Sequence, residues 1–183
     1  MGWLRPCAKH ESGHIGKLIP IAMNTDTGFS LDRAGIHRYQ KNRDPYLLID
    51  HAEKVIPGVS ADGYLDLQAD MWFFPVHWAG DPNMPGLLQI ESLVQMAALT
   101  LLTLPSYAGG VVYLTEVSKA KFYRKIVPGD RLTLETVLVS FRRGIGKCTG
   151  QGSVLGEKAC KAEFGIVLPS VVSEYTNAKA KRN

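Results

Sequence analysis

One short stretch, Phe73 to Glu91, carries a histidine, the start of a helix and a single glutamate. His77 sits among Pro75, Gly80, Pro82 and Pro85, which read as a constrained loop. Imidazole exchanges protons near neutrality, so His77 is a natural general base. Pro85 suits the first turn of a helix and Pro105 stops one, so Pro85 to Leu104 is read as helix. Glu91 then lies about 8 Å along the axis from Gly86, at about 1.5 Å per residue. A carboxylate on a buried helix is costly unless it is protonated or paired. Apolar burial raises a carboxyl pKa and makes the group a proton donor at neutral pH. The free amides of Gly86 and Leu87, at the positive helix end, suit a developing oxyanion. Base, acid and oxyanion site together fit proton abstraction beside a carbonyl, with loss or addition of water at the next carbon. Each residue taken singly has a plainer reading: His77 as a hydrogen-bonded loop histidine, Glu91 as a paired or interface glutamate.

Other motif matches carry less. His10-Glu11-Ser12-Gly13-His14 fits the zinc-protease pattern, which needs both imidazoles on one face of a stable helix. Gly13 and Gly16 weaken any helix there, and no third ligand is evident, so no metal site is expected. Gly144, Gly146, Gly150, Gly152 and Gly156 match neither a dinucleotide fingerprint nor a P-loop and read as strand bends or bulges. Cys7, Cys148 and Cys160 lack metal-ligand spacing.

The elements that position the stretch follow from composition and period. The chain has 183 residues, 45% apolar and 21% charged, ordinary values for one soluble domain able to bury a core. A net charge of +4, from 21 basic and 17 acidic residues, favours an acidic partner and does not call for nucleic acid. Three cysteines exclude a disulfide scaffold and fit a reducing cytosol. No apolar run suits a signal-peptide core, and Pro6 stands where myristoylation requires Ser or Thr; a cytoplasmic location is expected. Leu87 to Leu104 is interrupted by Gln89, Glu91, Ser92 and Gln95, which makes it a core helix, buried almost all round, and not a membrane span.

Around that helix the chain reads as strands. Pro45 to Asp50 is a short strand or strand start, Ala61-Asp62-Gly63 a turn, and Tyr64 to Trp72 a half-buried alternating strand. Gly110 to Val117, Ala120 to Val127, Arg131 to Phe141, Lys147 to Leu155 and Lys158 to Leu168 are β-prone, with a hairpin turn at Gly156-Glu157. The expected class is α+β, a long antiparallel sheet with one buried helix. Residues 1–35 form an extension, 36–168 the domain, and 169–183 a polar basic tail expected to fray.

Phe73, Phe74, His77, Gly80, Pro82, Met84, Pro85, Gly86, Leu88, Glu91 and Gln95 stand in the register of one family pattern. The chain resembles the 3-hydroxyacyl-[acyl-carrier-protein] dehydratases, which have a hotdog fold. Ile36 to Tyr39, Pro45 to Asp50, Lys119 to Asp130 and Arg142 to Ile145 extend the resemblance over residues 36–168. It implies dehydration of (3R)-3-hydroxyacyl thioesters on an acyl carrier protein, without cofactor or metal. His77 would take the C2 proton, Glu91 would protonate the departing hydroxyl, and the Gly86 amide would hold the thioester oxygen. The His and Glu of one site would come from different subunits, so a homodimer, or a trimer of such dimers, is implied. Gln95, at i+4 from Glu91, would orient it, and Gly80 would support the loop. Val76, Trp78-Ala79 and the inserted Gln40 to Asp44 depart from the pattern. A hotdog thioesterase using water activated by Glu91, or a catalytically silent acyl-thioester binder, are the alternatives. Carrier proteins are acidic, which assigns docking to basic residues, Arg124, Lys125, Arg142 and Arg143 foremost.

Overall fold

The computed structural model describes residues 28–180. Its sheet comprises β1 (Phe29–Leu31), β2 (His51–Ile56), β3 (Ser60–Asp66), β4 (Tyr113–Phe122), β5 (Arg131–Arg142), β6 (Ile145–Val154) and β7 (Glu157–Val167). The helices are α1 (Arg33–Tyr39), α2 (Phe74–His77), α3 (Gly86–Leu102) and α4 (Pro169–Ala180). All strand pairs are antiparallel, in the order β1-β2-β3-β5-β6-β7-β4. The α+β architecture with one central helix is therefore the one expected. No helix among the described residues is long and apolar enough to cross a membrane.

α3 forms because Leu, Met and Ala dominate it, no β-branched run interrupts it and Pro85 precedes it. Thirteen of its seventeen residues are buried, which matches an apolar pattern on nearly every face. Its polar members are satisfied locally: Ser92 Oγ donates to Leu88 O and Thr100 Oγ1 to Ala97 O. Gly58, in the β2–β3 turn, donates its amide to Thr100 O at 2.7 Å and ties that hairpin to the helix end. Leu93, Met96, Leu99 and Leu101 are fully buried. Each contributes about 1.5–3 kcal/mol of apolar burial.

The sheet accepts the helix through missing side chains. A Cβ at Gly150 in β6 would lie 3.1 Å from Leu93, and one at Gly63 in β3 would lie 2.8 Å from Met96 and 2.0 Å from His51 O. Gly146 and Gly152 are similarly closed by Ile166 and by Cys160 and Leu132. Gly63, Gly146 and Gly150 are close-packing positions, where Gly146 and Gly150 were expected to be bends or bulges; Gly152 packs closely too and also adjoins the register shift against β7 at Gly152/Ser153, as a bulge would. Gly144 and Gly156 do sit in turns, with φ of 84° and 79°.

Several boundaries differ from expectation. Ala61-Asp62-Gly63 lies inside β3, and the turn is Pro57 to Val59. Burial of Ala61 and Gly63 against the core overrides their turn propensity. Tyr64 to Trp72 is strand only to Asp66, because Gln68, Ala69 and Asp70 are exposed in a turn. Pro45 to Asp50 is irregular, although Leu47, Leu48 and Ile49 are buried. The two strands expected between Gly110 and Val127 are one, β4, whose register shifts against β7 at Leu114/Glu116 and Val117/Lys119 absorb the break in its pattern. The sheet already begins at Phe29, upstream of the compositional boundary. Pro169 to Ala180 is helical where a frayed tail was expected: Val171 packs on Leu168, Ala98 and Leu102, and Arg143 lies over the Tyr175 ring. His10 to His14 and Cys7 lie outside the described residues.

Candidate active site

His77 ends α2, a single turn within the expected loop. Its Nδ1 lies 3.0 Å from Asn83 O. A carbonyl only accepts, so Nδ1 carries the proton and Nε2 is left with its lone pair free to act as base. The Asn83 carbonyl is held from three sides. Asn83 Nδ2 donates to Asp81 O at 2.8 Å, the Met84 amide to Ile126 O at 2.8 Å, and Gln89 Nε2 to Met84 O at 3.1 Å. Lys125 forms an ion pair with Asp81 on the same loop. Gly80 permits the turn, with φ of 78°, and the Asp81 amide closes it on Trp78 O.

Gly86 opens α3, and the first helical amides with a backbone acceptor are those of Leu88 and Gln89, both bonded to Pro85 O. The Gly86 and Leu87 amides thus belong to the unpaired N-terminal set that suits an anion. A Cβ at Gly86 would sit 2.9–3.2 Å from the Phe122 ring, so only glycine lets that ring cover the helix start. His77, Gly86, Leu87, Phe122, Arg124 and Lys125 line one cavity of about 570 Å³.

Glu91 lies on the first half of α3 but faces a different cavity, of about 350 Å³, walled by Val94, Ala98, Leu102 and residues 110–114. Burial pushes the Glu91 carboxyl above the usual carboxylate range, and the Gln95 amide opposes this by hydrogen bonding to it. Gln95 Nε2 donates to Glu91 Oε1 and to Tyr46 O, both at 2.9 Å, while the Leu48 amide donates to Gln95 Oε1 at 2.8 Å. Since Leu48 N–H can only donate, the Gln95 amide orientation is settled, and it faces Glu91 as a donor. Gln40 adds a hydrogen bond to Gln95 O.

The structure brings His77 together with Gly86, Leu87, Arg124 and Lys125, and Glu91 together with Gln95. It does not bring His77 and Glu91 into one cavity of a single chain. Arg142 and Arg143 are also separate: they lie at the β5–β6 hairpin, beside Tyr175, at the Tyr113 end of the sheet. Arg124 pairs with Glu157 at 3.1 Å and with Asp130 at 3.7 Å. Sequence reasoning did not find Asn83, Gln40 or the Tyr46–Leu48 backbone. Asn83 and the Tyr46–Leu48 segment act through backbone groups, which leave no residue-type signal, and Gln40 acts through its side-chain amide at a sequence distance that no local spacing reveals.

An antiparallel sheet wrapped on one central helix, with His77 just ahead of the helix start and the partly buried Glu91 on the helix, is a hotdog arrangement. A family model described as a FabA-like domain matches residues 42–163. A 3-hydroxyacyl-[acyl-carrier-protein] dehydratase FabZ from Clostridium novyi is 43% identical over 130 residues, 70% of this chain and 87% of that relative. The protein of the same name from Chloroflexus aggregans is 41% identical over 136 residues, 73% of this chain and 91% of its own. Among solved structures, the dehydratase heterocomplex ApeI:P from Xenorhabdus doucetiae shares the fold, with a TM-score of 0.65 at 16% identity over 78% of this chain and 97% of that one. The chain belongs to the FabA-like family of 3-hydroxyacyl-[acyl-carrier-protein] dehydratases.

Proposed function

We propose that this chain dehydrates (3R)-3-hydroxyacyl-[acyl-carrier-protein] to the trans-2-enoyl thioester in acyl-chain synthesis, as a cytoplasmic homodimer. Likeness to the FabZ proteins over most of their length supports the reaction. The observation that carries the mechanism is the split of base and acid along β4. That strand is the sheet edge beside β7, every one of its residues is exposed, and its other side is unpaired among the described residues. The Glu91 cavity is walled by residues 110–114, at the Tyr113 end, and the His77 cavity by residues 122–125, past the Phe122 end. Ten residues at about 3.3 Å each span about 30 Å. Antiparallel pairing of β4 with a second copy superimposes opposite ends. It sets the His77 cavity of one protomer against the Glu91 cavity of its partner, and covers an edge that would otherwise invite association.

In that arrangement His77 Nε2 takes a C2 proton. The C–H electron pair moves into an enolate whose oxygen meets the Gly86 amide. The pair then returns to form the C2–C3 double bond as the C3–O bond breaks, and Glu91 of the partner subunit gives its proton to the departing hydroxyl, which leaves as water. Gln95, fixed as a donor to Oε1, leaves the other carboxyl oxygen to carry the proton. His77 ends protonated and Glu91 ionised, and proton exchange with solvent restores both. Arg124 and Lys125, at the His77 cavity, and Arg142 and Arg143, brought toward that end by the partner, offer cationic docking to an acidic carrier, with an affinity that falls as salt rises.

The test offers the protein a 3-hydroxyacyl-carrier thioester and follows enoyl product and free carrier thiol together. Enoyl product that is lost in both His77→Ala and Glu91→Gln is the expected result. Free thiol without enoyl product identifies a thioesterase, and binding without either product identifies a silent acyl-thioester binder.

A further inference from the structure

The His77 ring has a second restraint, on its face. α2 ends at His77, and Trp78 leaves it extended, with φ −141° and ψ 119°. That step folds the indole back over the preceding side chain. The two rings stack with centroids 4.7 Å apart and planes 17° from parallel. The imidazole is thus held by its edge on Asn83 O and by its face on Trp78. Core packing does not account for the indole, which is 56% exposed and lines the same cavity as His77. Trp78 also belongs to the segment in which this chain departs from the family pattern.

We propose that Trp78 is a positioning residue that holds the His77 ring and stabilises the imidazolium formed when the ring accepts the C2 proton. This rests on the dehydration reading of the site. The indole face carries negative potential; it stacks on the neutral ring and attracts the cationic ring more strongly. The contact therefore strengthens as the proton arrives on Nε2, and an interaction stronger in the transition state than in the ground state raises kcat. The indole exchanges no atom in the reaction.

Trp78→Ala and Trp78→Phe test the role. The alanine variant is expected to lose kcat about three- to thirtyfold with KM held within about twofold, while the phenylalanine variant keeps most of the rate. A second readout needs no turnover. A stacked imidazolium quenches indole emission more than a neutral imidazole does, so emission of the resting protein falls in one step on acidification. That step disappears in His77→Ala and in Trp78→Phe, over the background from Trp3 and Trp72. An alanine variant with the parent kcat, a phenylalanine variant as slow as alanine, or an emission step that survives Trp78→Phe overturns the proposal. A parent protein that shows the emission step yet forms no enoyl product overturns the dehydration reading instead.

Discussion

Where Glu91 sits suits it to the proposed acid role, and the same placement makes it a stability liability. Burial raises its pKa in the folded chain above the value in the unfolded chain, against the opposing Gln95 hydrogen bond. The folded state therefore binds the proton more tightly. The stability this supplies is present in full below the unfolded carboxyl's range and is lost as pH rises through the folded value. Glu91→Gln removes the partly buried charge and keeps an acceptor for Gln95. We expect the variant to be inactive and to melt above the parent at about pH 8, with the gap closing toward about pH 4 as the parent's carboxyl is protonated. Paired thermal melts across that range check it; a gap independent of pH overturns the assignment of a desolvated carboxylate. At this scale much of the site was legible in sequence. His77, Gly86, Glu91 and Gln95 announce themselves by residue type and by helical spacing. Asn83 and the Trp78 stack did not: one acts through its backbone carbonyl, and neighbours in sequence ordinarily face apart. The strand cysteines Cys148 and Cys160 are core: burial pushes Cys148 up to about 12 and Cys160 up to about 11, which leaves both thiols protonated and inert.

Among the elements, the start of α3 and the end of β4 work as one unit. The Phe122 ring lies where a Gly86 side chain would be, so the strand's last residue closes over the helix's first amide. Gly86→Ala forces either the ring or the helix start to move by a few tenths of an ångström or more. Phe122 is half exposed and can swing aside, so the fold is expected to survive with little change in Tm. The oxyanion role proposed for the Gly86 amide depends on placement, and kcat is expected to fall roughly hundredfold with a smaller change in KM. Steady-state kinetics beside a melting curve separate the two; full activity would remove the Gly86 amide from the mechanism. The legibility of elements followed the same physics. α3 and β5 to β7 were readable because long periodic segments are buried on one side or all round. The turn at Ala61 to Gly63 was misread because the glycine serves helix packing. β4 was split because an edge strand exposed on every residue has no alternating pattern to read.

For the whole molecule, a β4 edge unpaired among the described residues and the proposed division of the site make one prediction that distinguishes a shared site from a private one. His77→Ala and Glu91→Gln are each expected to be inactive as purified homodimers. Mixed in equal amounts after reversible dissociation, they form mixed dimers in about half of the population by random association. In a mixed dimer one site draws His77 from the Glu91→Gln chain and Glu91 from the His77→Ala chain, and both groups are intact there; the other site has lost both. Half of the dimers with one working site of two gives about a quarter of the parent activity. If base and acid of each site came from the same chain, every site in every dimer would carry one lesion, and mixing would restore nothing. The recovered rate therefore reads whether β4 joins the two half-sites. A mixture that stays silent, while sedimentation shows mixed dimers present, would return both groups to a single chain and require α2 to swing across β4 to meet Glu91.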